Sequence, residues 1–385
     1  MPEQFLHGIE VIELDDGPRP IRTVKSSVIG LIGTAPEADA KKFPLDTPIL
    51  IAGRRTEAAG LGKTGTLPAA IDGIFDQCGA MVAMVRVAEG SAEETKSAVI
   101  GGVDNDTGKR TGLQAFLDAR NAIKVTPRIL AAPGFSHELA VGTEMNSLAQ
   151  RLKAVAIIDG PNTTDAAAIS ARENYGSDRV YVVDPWVKVW DVIQKKEVVQ
   201  PASARVAGLI SKMDNARGWW WSPSNQVIDG IVGTARGIDF EISDVNCRAN
   251  HLNEHEVATI VHESGYRLWG NRSCSKDPKT AFLCVRRSAD MIAESILYAH
   301  LWAVDRGITK TYLEGVRAYI RHLKKVGALI GGDCWVDPEI NTPDQIAQGI
   351  VYWDYDFTPV YPAEHLVFRS HIVDRYLVDL FPLAA

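Results

Sequence analysis

Three stretches of the chain bring together residue types that could do chemistry. Gly60-Leu61-Gly62-Lys63-Thr64 ends like a phosphate-binding loop. Such a loop needs a further glycine five residues before Gly62 so that its backbone can wrap the phosphates, and that position holds Glu57. The segment also sits between two helix-like stretches instead of directly after a strand, so it reads as a helix end with a glycine turn. His251 and His255, four apart, could share a helix face as two zinc ligands would, with His262, Glu254, Glu256 and Glu263 near them. The HExxH spacing is missing, because His255-Glu256 runs on into Val-Ala-Thr-Ile, and no third ligand is singled out. The stretch reads as a charged helix start capped by Asn250 or Asn253, and no metal or other cofactor is expected. Asp159-Gly160-Pro161 and Asp184-Pro185 follow apolar runs, at the strand ends where doubly wound sheets hold ligands. A soluble α/β enzyme with a site near Asp159 and Asp184 is therefore one reading. No GxSxG elbow or supported Ser/His/Asp order accompanies it, and no catalytic residue is assigned.

The elements that would position these residues are strands alternating with helices. Residues 27–34, 48–52 and 80–87 read as buried strands, and 54–60 and 68–77 as helices. Residues 89–111, rich in Gly, Asp and Thr, read as a boundary or exposed loop. Helices at 112–121, 136–152, 164–174 and 202–213 alternate with strands at 128–132, 154–158 and 179–183. This alternation predicts a mostly parallel sheet with crossover helices on its faces. Residues 218–276 are punctuated by Gly, Asn and Ser. Beyond them the pattern gives a strand at 280–286, helices at 287–305 and 309–326, a strand at 328–336, a helix at 342–348 and a strand at 349–358. The expected fold is α/β and multidomain, with a mostly parallel sheet core, flanking helices and a smaller α/β C-terminal domain.

Both ends of the chain alternate apolar and polar residues, over 4–15 and 364–374. Gly17, Pro18 and Pro20 detach the first stretch, and Pro359 and Pro362 the second. A lone strand needs a partner, so each must pair within its own chain or leave as an extended β-arm. The composition is that of an ordinary globular chain: 385 residues, 46% hydrophobic and 23% charged. It excludes a disordered chain, a collagen-like fibre and a small disulfide scaffold. No run of 18 apolar residues offers a membrane span, and the first residues lack the pattern of a secretory signal. The net charge of −7 argues against a protein that wraps nucleic acid. Five widely spaced cysteines without CxxC read as reduced thiols. Nine tryptophans and ten tyrosines favour a protein that assembles.

Helix 309–326 is amphipathic: Leu313, Val316, Ile320 and Leu323 form an apolar stripe, and Arg317, Arg321, Lys324 and Lys325 crowd the remaining face. That face is either solvated or a docking surface for an acidic partner.

An ordered series of segments then resembles the contractile tail sheath proteins, above all those of temperate contractile-tailed phages and R-type pyocins. The series is SVIGLIGTAP, RTGLQAFLDA, PRILAAPG, AIIDGPN, VDPWVKVWD, SPSN, GYRLWGNR, WAVDRGITKTY and AQGIVYW, and it runs from about Phe5 to Leu380. The resemblance implies a structural subunit without enzyme activity that stacks as hexameric rings around an inner tube and contracts to drive that tube through a target cell envelope. It implies that the chain ends add strands to sheets of neighbouring copies. Phe5, Ile9, Val11 and Ile12 would lie in the N-terminal arm, Leu366, Phe368 and Ile372 in the C-terminal arm, and Gly17, Pro18, Pro359 and Pro362 at their hinges. Arg317, Arg321, Lys324 and Lys325 become candidates for docking on the tube. The implied division is an N-terminal arm (1–20), an outward-facing α/β domain (21–105), a central domain (106–276), a tube-facing C-terminal domain (277–362) and a C-terminal arm (363–385). The implied partners are copies of itself, the inner tail tube protein, and baseplate and tail terminator proteins, with no nucleic acid or membrane. The implied location is a virion tail or tailocin particle, assembled in the host cytoplasm.

Overall fold

Short, uninterrupted apolar runs shape much of the architecture, because a strand made of such a run is stable only when covered on both faces. The computed structural model describes residues 21–192, 194–301 and 311–377. In chain order the elements begin with β1 (Ile29–Thr34), β2 (Ile49–Ala52), α1 (Leu67–Gln77), β3 (Met81–Val87), α2 (Ala92–Ile100), α3 (Ala119–Ile123) and β4 (Ile129–Ala131). Next come α4 (Leu139–Leu152), β5 (Val155–Asp159), α5 (Asp165–Glu173), β6 (Val180–Val183), β7 (Val187–Asp191), β8 (Lys196–Gln200) and α6 (Ser203–Ala216). They are followed by β9 (Gln226–Val227), β10 (Gly233–Thr234), α7 (Arg248–Glu254), β11 (Val257–His262) and β12 (Tyr266–Trp269). The last are α8 (Leu283–Ala299), α9 (Thr311–Lys325), β13 (Leu329–Trp335), α10 (Pro343–Ala347) and β14 (Asp354–Pro359).

One nine-stranded sheet, ordered β2-β3-β1-β4-β5-β6-β11-β12-β9, forms the body. Every pairing from β3 to β11 is parallel, and antiparallel strands close both edges. All residues of β1, β4, β5 and β6 are buried. On one face Ile29, Leu31, Ile157 and Tyr181 pack with apolar residues of α1 and α6. On the other, Ile32, Leu130 and Ile158 pack with Phe116 and with Met145 and Leu148 of α4. Helices α1 and α6 lie close because Gly208 has no side chain: a Cβ there would stand 2.9 Å from the Ile74 carbonyl oxygen.

The structure adds to the expected pattern and corrects it in places. Residues 89–111 hold α2, whose start is fixed by a capping box between Ser91 and Glu94. The irregular stretch 218–276 supplies β11, which extends the parallel run beyond β6. The strand expected at 280–286 is instead the beginning of α8, entered at Leu283 with Phe282 in the cap position. A short apolar run such as Ala281-Phe282-Leu283-Cys284-Val285 does not reveal its period, so helix and strand look alike there. Strands β1 to β3 share one sheet with β4 to β6, so a division at 105/106 falls within that sheet.

The C-terminal lobe has its own small core. Met291 and Ile292 of α8 meet Val316, Tyr319, Ile320 and Leu323 of α9, with Leu329 and Cys334 of β13 and Trp219 from the body. Strands β13 and β14 pair antiparallel, and among the described residues their sheet has just these two strands.

Candidate functional site

The two aspartates at the strand ends are consumed by internal bonds. Asp159 is buried. Its carboxylate accepts from Ser136 Oγ at 2.8 Å, Ser203 Oγ at 2.5 Å and the Ser203 backbone N–H at 2.8 Å. Burial pushes its carboxyl above the usual range, with the serine bonds pulling against it. The cavity beside it measures ≈ 30 Å³, room for about one or two water molecules. Asp184, fully buried, pairs with Arg236 and accepts from the Asn162 N–H at 2.8 Å. Its carboxyl is also raised by burial, with Arg236 opposing. Arg236 and Arg248 both bind Asp165 at the start of α5, which ties α5, the segment after β10 and α7 into one cluster. These carboxylates therefore lock loops to strand ends, and the cavity beside Asp159 is too small for a substrate.

The other two motifs resolve similarly. The Lys63 N–H, which a phosphate loop would offer to its ligand, donates to Glu37 Oε2 at 2.9 Å. His251, Glu254 and His255 bring ligand atoms within 4.8 Å of one another at the surface of α7. Those three could hold an ion only at an open face. His262 stands apart from that trio, at the end of β11 against the Tyr266 ring.

The features that can engage a partner lie in the C-terminal lobe. Helix α9 turns Tyr312, Val316, Tyr319, Ile320 and Leu323 inward. Of its four expected docking cations, Arg317 is engaged by its own lobe, donating to Asp333 Oδ1 at 3.1 Å and the Cys334 carbonyl at 2.9 Å. Asp333 is held below the usual carboxylate range by the Cys334 N–H and by Arg317. Among the described residues Arg321 forms an ion pair with Glu314, at 3.9 Å, while Lys324 and Lys325 stand exposed without one.

Pro359 is the buried last residue of β14, paired with Leu329. Past it, residues 360–373 form neither helix nor strand. The exit is clamped: Arg272 stacks on Phe282, Phe282 meets Tyr361 edge-on, and Arg272 donates to both Glu364 carboxylate oxygens, at 3.1, 2.9 and 2.6 Å. Pro362 lies within this clamp. Leu366, Phe368 and Ile372 follow it and are exposed, Phe368 to 89%. Phe5, Ile9, Val11, Ile12, Gly17 and Pro18 lie outside the described residues.

A further feature escaped the sequence reading. One face of α8 is nailed to the body by buried ion pairs. Arg287 holds Asp214 of α6 at 2.7 and 2.5 Å, and Arg179 holds Asp290 at 2.5 and 2.7 Å. Arg128 meets Glu294 at 2.5 Å, and Arg286 bridges Asp178 and Asp290. Positions 286, 290 and 294, spaced by four, were the available signal, hidden while 280–286 read as a strand.

Comparison with known proteins agrees with this architecture. Residues 108–274 match the phage tail sheath protein central domain, 275–373 the phage tail sheath C-terminal domain, and 26–87 the N-terminal region of domain III of the tail sheath protein Gp18. A Pseudomonas aeruginosa protein described as a prophage major tail sheath protein is 45% identical, over 99% of this chain and 100% of that one. The tail sheath protein of Escherichia phage P2 is 36% identical, over 98% of each. In fold, the helical sheath of the anti-feeding prophage in its contracted state superposes with a TM-score of 0.72 at 21% identity, covering 96% of this chain and 99% of that one. With end-to-end relatives of this identity, the chain belongs to the phage tail sheath protein family.

Proposed function

We propose that this subunit polymerises as stacked hexameric rings around an inner tail tube and contracts to drive that tube through a cell envelope. The observation that carries the reading is an unfinished sheet beside an unused strand. The β13–β14 pair leaves both outer edges unpaired among the described residues, and an isolated two-stranded sheet is marginal in water. Residues 364–373 leave the same lobe as exposed chain with an alternating apolar pattern. The simplest way to satisfy both is strand addition between copies, in which main-chain bonds link subunits and alternate side chains set register. Leu366, Phe368 and Ile372 serve as the C-terminal arm, and Phe5, Ile9, Val11 and Ile12 as the N-terminal one. Gly17, Pro18 and the stretch from Pro359 to Pro362 are the hinges that let joined subunits move as rigid bodies. Helix α9 faces the tube with Arg321, Lys324 and Lys325. Exposed ion pairs are individually weak, which suits a contact that must let go. Arg317 supports that helix from its own lobe. Baseplate and tail terminator proteins cap the ends of a virion tail or tailocin assembled in the host cytoplasm. Negative-stain microscopy of the purified full chain tests this directly: rings or tubes are expected, and a uniformly monomeric preparation at all concentrations sinks it.

A further inference from the structure

Opposite ends of the parallel sheet carry complementary features that nothing among the described residues uses. The first is a finger between β10 and α7. Residues 241–246 are all exposed, with Ile242 at 79% and Val245 at 74%. Their shape is fixed from within: the Asp244 N–H donates to the Glu241 carbonyl at 3.1 Å, and the Phe240 ring packs edge-on against Trp269. The root of the finger is tied through Arg248 to Asp165, just beyond the C-terminal end of β5. Glu241 accepts only from Ser243 Oγ and Asp244 from the Asn246 N–H, so neither carboxylate meets a cation among the described residues.

The second feature is a socket at the other end of the sheet, beside the N-terminal ends of β1 and β4. It is a cavity of ≈ 200 Å³ lined by Val24, Lys25, Arg120, Lys124, Val125 and Tyr298, among others. Arg120 lies over the Tyr298 ring, 4.5 Å from its centre. Lys124 donates to the Asn121 carbonyl at 2.9 Å, and Lys25 points towards Met81 Sδ at 3.9 Å. None of these three cations is paired with a carboxylate among the described residues. The floor, by contrast, is neutralised, since Arg128 is engaged with Glu294. A mixed cavity, with Val24, Val28, Val125 and the Tyr298 ring offering apolar surface beneath three cations that have no carboxylate partner among the described residues, is thus the complement of an apolar tip flanked by two unpaired acids.

We propose that the finger Glu241–Val245 of one copy seats in this socket on the next copy, with Ile242 entering the cavity and Glu241 and Asp244 facing Lys25, Arg120 and Lys124. The inference rests on the sheath reading and says which surfaces meet. Finger and socket lie at opposite ends of the strands, so one copy cannot satisfy itself. The contact is heterologous, and its repetition builds a ring or a helix instead of a closed dimer. The occupant is a second copy because that chain necessarily carries the matching charge at equal concentration.

The test uses the full chain and two independent readouts. Glu241→Lys with Asp244→Lys, and separately Lys25→Glu with Lys124→Glu, should each lower the sedimentable polymer at least tenfold. All four substitutions together should restore it, because the pairs are re-formed with inverted sign. Separately, Ser243→Cys combined with Thr126→Cys should give a ladder of cross-linked oligomers on a non-reducing gel, and neither single variant should. Wild-type-like polymer from either charge variant, a fourfold variant as defective as its parents, or no ladder in a chain that polymerises overturns the finger–socket contact and leaves the sheath reading standing. A ladder formed with Lys324→Cys in place of Thr126→Cys also overturns it, by sending the finger to α9. A wild-type chain that never polymerises overturns the sheath reading, and this contact with it.

Discussion

The most demanding consequence of the structure concerns Arg287 and Asp214. Their side chains are 5% and 1% exposed, and their two bonds join α8 of the C-terminal lobe to α6 of the body. The Arg287 guanidinium also donates to the Ser26 carbonyl at 3.3 Å, so one residue holds three segments. Arg287→Met leaves Asp214 as a buried charge without a partner, and Asp214→Val does the same to Arg287. Removing one member of a buried pair costs about 3–5 kcal/mol. Replacing both by apolar groups of similar bulk is often close to neutral, because no charge then remains to desolvate. The double variant should therefore recover most of the loss, with a coupling energy of at least about 3 kcal/mol. Urea titration of the full chain, followed by tryptophan fluorescence, reads all four corners of the cycle; Trp219 sits in the core of that lobe. Additive losses, with the double variant as unstable as the sum of the singles, would refute the view that charge burial is what makes this joint strong.

Three further outcomes are expected. Deleting residues 1–17 or 364–385 should leave a folded chain that remains monomeric by light scattering if these ends are the proposed arms; normal polymerisation would remove them from the assembly. Arg321→Glu with Lys324→Glu should abolish co-assembly with the tube protein while leaving self-polymerisation intact, and unchanged tube binding would clear α9 of that role. Asp159→Asn tests a sign. Burial raises the Asp159 carboxyl above its ordinary value of 3.8, so the folded chain keeps a proton that the unfolded chain has already lost. Stability from this group is then lost as pH rises above 3.8 towards the folded value, and the variant lacks that slope. Its stability relative to the parent should grow between pH 4 and pH 7, and a gap independent of pH contradicts the burial argument.

What the sequence reveals here depends on the range over which an interaction acts. Strands such as Ile29–Thr34 and Met81–Val87 are legible because burial on both faces demands an unbroken apolar run, a property of the segment alone. The start of α2 was legible too, as Ser91-x-x-Glu94, but glycine and aspartate around it drew the eye to a loop. Helix α9 and the C-terminal ribbon announce themselves by period and by proline. The α8 joint does not: Arg179 and Asp290 are 111 positions apart, and only the fold makes them neighbours. The same holds for the socket, whose cations come from residues 25, 120 and 124, and for the aspartates at 159 and 184, which look catalytic until Ser136, Ser203 and Arg236 are seen to occupy them.

A subunit that transmits force must fail last within itself and first at its borders, and the placement of charge here produces that order. Within the chain, lobe and body are joined by buried pairs whose partners cannot be hydrated without opening the core, so separating any one of them costs several kcal/mol. At the proposed tube-facing surface, Arg321, Lys324 and Lys325 stand in water, where a pair is worth about 0–1 kcal/mol and weakens with salt. Load applied across such a subunit strips exposed contacts one at a time while the joint at α8 holds. The proposed strand addition between copies would outlast these exposed pairs, since several main-chain bonds along a ribbon must be broken together before neighbouring copies part. Bending at the proposed hinge from Pro359 to Pro362 would have to open the Arg272–Glu364 clamp, because Pro359 ends β14 and Pro362 lies within that clamp.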